Sequence, residues 1–373
     1  MKTRRLHLSV TLLTAILFLC GCTGADGTIR LGLVSGLSGG NADAGEAGRN
    51  GAMIAVEEVN ENGGINGRGV ELIIRDDGND AAKAAEAARD LIGRDVDAII
   101  GAFTTTTTEG VLSVAEPAGT LVVSPTASAY HLSGKDDMLI RLNSSTKDNA
   151  GDYAEYMYGT RNFRKVSIAM DVQNRSFTES WLKFFEQSFS AAGGSTAAAV
   201  EFDTRSMTEF GVLISRLLAP NPDAVLLIAN SVDTARITQQ LRKADPRIPV
   251  MPVEWAGTVT LIELGGHAVE GMQLLQNVNM FQTGPDFLSF TRTYLARFGR
   301  EPSYSSVMAY EAAKVVLEAC RRKSKREPLK EAVLKYGPYK GFQQMLDFDE
   351  YGDLKRMANF VEIRDKRFIP IGQ

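Results

Sequence analysis

Short apolar, β-rich runs alternate along this chain with longer stretches whose apolar positions recur at helical spacing. Thr28–Val34 is the first such run, and a Gly-rich turn leads from it into a helix expected over about Gly45 to Asn62. Ala52, Val56 and Val59 mark one apolar face of that helix, with Arg49, Glu57 and Glu58 mostly on the polar side. Gly63-Gly64 stops it, as glycines past a helix end do. The pattern next predicts strand Val70–Arg75, the Ala-rich helix Ala81–Ile92, strand Ala98–Gly101, a helix over about Glu109–Pro117 and strand Leu121–Ser124. After about Asn143 the rhythm restarts with helix 147–158, strand Val166–Met170, helix Thr178–Ala191 and strand Ala198–Phe202. Helix Met207–Leu218, strand Ala224–Ile228, helix Asp233–Ala244 and strand Val250–Val253 continue it. Two successive series of this kind predict an α/β chain with two parallel sheets, each covered by helices.

The first residues break the pattern. Lys2, Arg4 and Arg5 precede an apolar run from Leu6 to Leu19, too short for a stable membrane span and ordered like a secretion signal. Leu19-Cys20-Gly21-Cys22 then resembles a bacterial lipobox, with Cys20 slightly bulky for its place. That resemblance implies removal of residues 1–21 and lipidation of Cys22, which would tether the protein to a membrane outside the cytoplasm; an ordinary secretion signal is the other reading. Thr23 gives no inner-membrane retention aspartate after Cys22, and the periplasm and the cell surface both stay open.

Charge narrows the class. With the three basic residues of the leader removed, 38 Lys and Arg face 45 Asp and Glu over 352 residues, a net of −7. A nucleic-acid partner, which needs a basic face, is not expected. The length suits two domains of ordinary size. Cys320 is the one cysteine left after Cys20 and Cys22, so no internal disulfide can form; it is expected to pack as a small apolar side chain. No second long apolar run follows, and the basic cluster Arg321, Arg322, Lys323, Lys325 and Arg326 reads as a solvated helix end.

Ligands of open α/β sheets collect at the carboxyl ends of strands, where helix N-termini also point. Three segments fall there. The run Gly101–Thr108 with its five consecutive threonines offers hydroxyls and free N–H groups suited to a carboxylate, and a plain helix-capping loop would look the same. Ser124-Pro-Thr-Ala-Ser128 offers an anion similar groups, or is a simple turn. Glu254, in the other series, would suit an ammonium group or lie on the surface. Anion donors on one side and a cation acceptor on the other together point to an amino acid.

The run Arg30–Gly39, then Gly48–Glu57, Asn62–Arg68, Arg75-Asp-Asp77, the Thr104–Thr108 loop, Ser124–Ser128 and Glu270-Gly-Met272 resemble the periplasmic Leu/Ile/Val-binding protein family over essentially the whole mature chain. The resemblance implies a type I periplasmic binding protein fold, two doubly wound parallel-sheet lobes joined by a three-segment hinge. Crossings would lie near Asn143, Asn277 and Arg356–Met357, giving lobes 26–143 plus 278–357 and 144–277 plus 358–373. It implies a monomeric solute-binding lipoprotein of an ABC importer, closing on an amino acid or similar small polar solute and docking on permease subunits. Carried over residue by residue, the carboxylate-binding hydroxyl falls on Thr105, the second loop's carbonyl and hydroxyl on Thr126 and Ser128, and the ammonium acceptor on Glu254. Family aromatic positions fall on Ala44, on Arg175 (or on Phe177 if the loop after Asp171 is longer) and on Asn230. Fewer aromatic walls, with Arg175 and Asn230 as contacts, favour a polar or acidic side chain over an aliphatic one. Phe103 is taken as a further contact; for it, as for Tyr130, Tyr304 and Tyr310, buried packing is the competing role. Loops that are disulfide-linked in some members carry Asn79 and Thr104 here.

Catalysis is not expected, and neither is a cofactor or metal. Gly36-Leu-Ser-Gly39-Gly40 has the wrong spacing for a dinucleotide turn, and the next acids, Asp76 and Asp77, arrive about forty residues on rather than about twenty. No Walker lysine motif is present, and His131 and His267 are the only histidines past the leader. A ligand-sensing module of the same fold, working through a membrane partner, is the alternative to transport.

Overall fold

The computed structural model describes residues 27–207 and 210–371. Strands β1 (Ile29–Ser35), β2 (Val70–Asp76), β3 (Ala98–Gly101), β4 (Leu121–Ser124) and β5 (Leu139–Arg141) form one parallel sheet in the order β2-β1-β3-β4-β5. Helices α1 (Ala42–Glu61), α2 (Ala81–Ile92) and α3 (Thr105–Ala115) alternate with them. β3 and β4 are buried along their whole length, which is why they read as unbroken aliphatic runs instead of alternating ones. Cores lie on both faces: Leu31, Leu33 and Ile100 pack on one, Val34, Ile99 and Val122 on the other.

A second parallel sheet, ordered β7-β6-β8-β9, contains β6 (Lys165–Asp171), β7 (Ser195–Phe202), β8 (Ala224–Ile228) and β9 (Val250–Pro252). Its helices are α4 (Thr146–Glu155), α5 (Arg175–Ala191), α6 (Gly211–Leu218), α7 (Ser231–Ala244) and α8 (Val259–Gly265). The chain continues through β10 (Gln273–Gln276), α9 (Pro285–Phe298), α10 (Tyr304–Arg322), α11 (Leu329–Tyr336) and the short pair β11 (Tyr339–Lys340) and β12 (Met345–Leu346). It ends with β13 (Asn359–Arg364) and β14 (Arg367–Pro370), which join β10 in an antiparallel sheet. Ile363 and Phe368 carry that sheet into the core of the second parallel sheet, whereas Tyr339 and Leu346 belong to the first. α10 lies against α1 so closely that a Cβ on Gly51 would come within 2.0 Å of the Ser306 carbonyl oxygen, so only glycine fits there.

Three connecting segments run side by side between the sheets. Asn277 Nδ2 donates to Asn143 Oδ1 at 2.9 Å, and the Arg356 N–H donates to Ser144 Oγ at 2.8 Å. The Arg356 guanidinium donates to the Leu142 carbonyl and pairs with Glu311, both charged groups being almost fully buried.

Most expected elements are present, with ends shifted by a few residues. α3 is the functionally important shift: it starts at Thr105, not near Glu109. The Thr104 hydroxyl accepts from the Thr107 N–H, and Thr107 caps in return, so the threonines that looked like loop are the first turn of the helix. β5, only three residues long, was not expected, and too few positions exist there for a periodicity. Cys320 is half-buried against the first core, and burial pushes its thiol up to about 12. Asn79, without a disulfide, is held by its own amide, which donates to the Ser38 carbonyl at 3.1 Å. The signal segment and Cys22 lie outside the described residues.

Candidate functional site

The carboxyl ends of the two parallel sheets face one another across a small pocket. From the first sheet, the turn after β3 brings in Phe103, Thr104 and Thr105, and the turn after β4 brings in Thr126 and Ser128. Gly101, at φ +119°, makes the first turn possible: a Cβ there would sit 2.1 Å from the Val34 carbonyl oxygen. The two turns brace each other. Ser124 Oγ donates to the Ala102 carbonyl at 2.8 Å, and Thr126 Oγ1 to the Phe103 carbonyl at 2.6 Å.

Thr105 is the first residue of α3, so its N–H is one of the orphan donors of a helix N-terminus. Its hydroxyl oxygen accepts from the Ser128 and Ala129 N–H groups at 3.4 Å each, which leaves its own hydrogen to donate. Ser128 Oγ lies at the pocket with no hydrogen-bond partner among the described residues. The Thr126 carbonyl accepts from Asn143 Nδ2 at 3.1 Å. These hydroxyls, set at the positive end of a helix dipole, form a place for a carboxylate.

Glu254 follows β9 on the opposite side and is only 8 % exposed. Asn149 Nδ2 of α4 donates to one of its oxygens at 2.9 Å, and Trp181 Nε1 of α5 to the other at 3.1 Å. Both donors are neutral, and no lysine, arginine or histidine among the described residues pairs with it. Burial raises its pKa, while the Asn149 and Trp181 hydrogen bonds oppose the rise. A buried carboxylate with neutral partners only, opening on a pocket, is arranged to receive a cation.

Aromatic rings close the pocket. Phe177 stands edge-on to Trp255 with centroids 5.6 Å apart, and Phe103 and Tyr304 complete the walls. The expectation of few aromatic walls is therefore corrected: Phe177, the longer-loop alternative to Arg175, lines the pocket with Phe103 and Tyr304, and Trp255 adds a ring that was not expected. Arg175 is not brought to the pocket; it is exposed, with its guanidinium held by Glu201 at 3.0 Å and Glu179 at 2.8 Å. Phe177, two residues on, lines the pocket instead. Asn230 also stays outside. It caps α7, its Oδ1 accepting from the Asp233 N–H at 2.9 Å. Tyr130 stacks edge-on against Phe184, and Tyr310 packs on Phe290 and Phe342, so neither faces the pocket. Ala44 is buried and is not among the residues lining the pocket; next to it in sequence is Asp43, which the local pattern did not flag.

Asp43 Oδ2 accepts from Ser231 Oγ and from Thr258 Oγ1, each at 2.7 Å, and Asn41 Oδ1 accepts from Trp255 Nε1 at 3.1 Å. On the other flank the Thr106 N–H donates to Asn174 Oδ1 at 3.2 Å, and Ser176 Oγ donates to Glu109 at 2.6 Å. The two sheets with their helices are thus clasped together on both flanks, leaving about 30 Å³ of water-accessible space in the pocket.

Residues 28–367 match the profile of the periplasmic binding protein family. The chain belongs to that family. Membership carries an extracytoplasmic location with it, and among the described residues no helix is long and apolar enough to cross a membrane. This periplasmic binding protein is 25% identical over 330 residues to the leucine-, isoleucine-, valine-, threonine- and alanine-binding protein of Pseudomonas aeruginosa, covering 88% of this chain and 87% of that one. It is also 25% identical over 330 residues to the Leu/Ile/Val-binding protein of Escherichia coli, covering 88% of each. Its fold matches a leucine-binding protein of Thermotoga maritima with a TM-score of 0.85 at 23% identity, covering 92% of this chain and 98% of that one. A Streptococcus pneumoniae branched-chain amino acid binding protein solved with isoleucine gives 0.84 at 21% identity, covering 91% and 97%. The fold is that of type I periplasmic binding proteins. A Rhodopseudomonas neighbour solved with benzoate, at TM-score 0.83 and 17% identity over 93% and 96%, shares it too.

Proposed function

We propose that this periplasmic binding protein captures an α-amino acid between its two sheets, as the solute-binding component of an ABC importer. The observation that carries the reading is Glu254: a buried carboxylate, hydrogen-bonded only by neutral groups, facing hydroxyls at a helix N-terminus. An α-ammonium on Glu254 and an α-carboxylate on Thr105 and Ser128, with the Thr126 carbonyl turned to the same pocket, would satisfy both poles of a zwitterion. The amino acid binding named for its relatives agrees with this polarity. The segments around Asn143, Asn277 and Arg356 serve as the hinge, with lobes 26–143 plus 278–357 and 144–277 plus 358–373. Open lobes admit the solute; closure brings Glu254 to the groups of the first lobe and presents the closed monomer to permease subunits. The protein works by binding, not by catalysis. Cys22 carries the lipid that holds it at the membrane, and Cys22→Ser should release it from the membrane fraction and abolish palmitate labelling.

The test of the ligand is calorimetric titration of the mature protein, unfolded and refolded to strip carried solute, against the twenty amino acids, short amides, urea and benzoate. Micromolar or tighter binding of an α-amino acid is expected. Binding only of solutes lacking an α-ammonium would overturn the assignment of Glu254.

A further inference from the structure

Behind the pocket lies a second, smaller chamber of about 10 Å³, lined by Asn143, Glu254, Gln276, Asn277, Tyr304 and Met308. It shares Asn143, Glu254 and Tyr304 with the first, so the two adjoin. Gln276 and Asn277 are 3 % and 6 % exposed, and Gln276 Oε1 and Asn277 Oδ1 are both buried without a hydrogen-bond partner.

The orientation of these amides is fixed by neighbours that cannot change roles. The Thr126 carbonyl only accepts, so Asn143 must turn its NH2 to it and its oxygen to Asn277. Asn277 must then give its NH2 to Asn143, which leaves Asn277 Oδ1 over. The Gly257 carbonyl likewise accepts from Gln276 Nε2 at 3.4 Å and leaves Gln276 Oε1 over. Two residues that line the chamber therefore each carry a spare acceptor that needs a donor.

We propose that the bound solute is a small neutral amino acid whose side chain ends in a hydrogen-bond donor, a hydroxyl or carboxamide, received by Gln276 and Asn277. This rests on the zwitterion reading of the pocket. Glu254 is the one formal charge lining either space. An acidic side chain would add a negative charge to it with no cation to meet, which removes the acidic branch of the sequence-based expectation. A second ammonium would exceed the single carboxylate. An aliphatic side chain would leave both acceptors buried and unpaired, and sites built to bond a hydroxyl or amide reject analogues that lack it.

The experiment titrates the stripped mature protein with near-isosteric pairs: threonine against valine, and asparagine against leucine. At least tenfold tighter binding of the donor-bearing member of one pair is expected. Gln276→Met, which keeps the volume, should narrow that preference to about threefold or less, weakening the donor-bearing member and strengthening the apolar one, which no longer leaves that acceptor unpaired. Valine and leucine binding as tightly as their partners to the wild-type protein would refute the inference alone, with the zwitterion reading intact. So would a Gln276→Met variant that weakens every amino acid equally, since the acceptors would then serve the ammonium. Absence of binding by any amino acid would refute both.

Discussion

Replacing Glu254 by glutamine keeps the shape of the side chain and removes the charge on which the reading depends. In the folded protein Asn149 and Trp181 each donate to one Glu254 oxygen. A glutamine can accept from only one of them, and its NH2 must face the other donor. The variant therefore loses the partner of the ammonium and one supporting hydrogen bond together. Losing a charge partner inside a desolvated interface costs about 2–5 kcal/mol, or roughly 30- to several-thousand-fold in affinity. The apo protein should fare differently. Glu254 is buried with no cation, so its charge is a cost to the unliganded fold, and removing it offsets the lost hydrogen bond.

Calorimetry and thermal melts separate these effects. At a solute concentration of about 100 times the wild-type Kd, ligand stabilises the wild-type fold by about 2.7 kcal/mol; a thousandfold weaker variant should show almost no ligand-induced shift. Acidity adds a third readout. Burial raises the Glu254 pKa, and an ammonium requires the ionised form, so wild-type affinity should fall as pH falls through that raised value, with a proton released on binding. Glu254→Gln should lack that slope. A variant that binds within threefold of wild type, with the same pH profile, would refute the argument.

Asp43→Ala removes two cross-cleft hydrogen bonds of 2.7 Å and should weaken solute binding about five- to thirtyfold, from about 1–2 kcal/mol of lost closed-state stabilisation, with a larger radius of gyration by small-angle scattering. Burial, helped by the nearby Asp233 and Asp203 charges, raises Asp171 to about 7. Its folded pKa lies above its unfolded one, so its contribution to stability is complete below about pH 4 and is lost as pH rises through about 7. Asp171→Asn should flatten that part of the melting profile and gain most over wild type above pH 7. Glu311→Gln strands the buried Arg356 guanidinium and should destabilise the protein by about 3–5 kcal/mol in denaturant titrations, measured without ligand.

The sheets were legible because a strand buried on both faces needs an unbroken aliphatic run, and Ala98–Gly101, Leu121–Ser124 and Ala224–Ile228 are found where those runs stand. The pocket's poles were legible for a related reason. Strand ends in such sheets converge, so the segments Gly101–Thr108 and Ser124–Ser128 and the residue Glu254 could be picked from their places after strands; the family resemblance singled out Thr105, Thr126 and Ser128 within them, and the folded chain brings all four residues to one pocket. The walls were not. Whether residue 175 or 177 faces inward depends on the conformation of the turn after β6, and helix α5 begins at Arg175 with Phe177 on its buried side. Trp255 carried a signal in its adjacency to Glu254; Gln276 carried none, and Asn277 was marked only as a crossing between lobes that the resemblance implies. Asn277 meets Asn143 across 134 residues, and the meaning of its spare oxygen comes from a chain of amides that ends on the Thr126 carbonyl. Local periodicity reports which face of an element is buried. It is silent about which buried polar atoms are left over, because their partners come from segments far apart in the sequence.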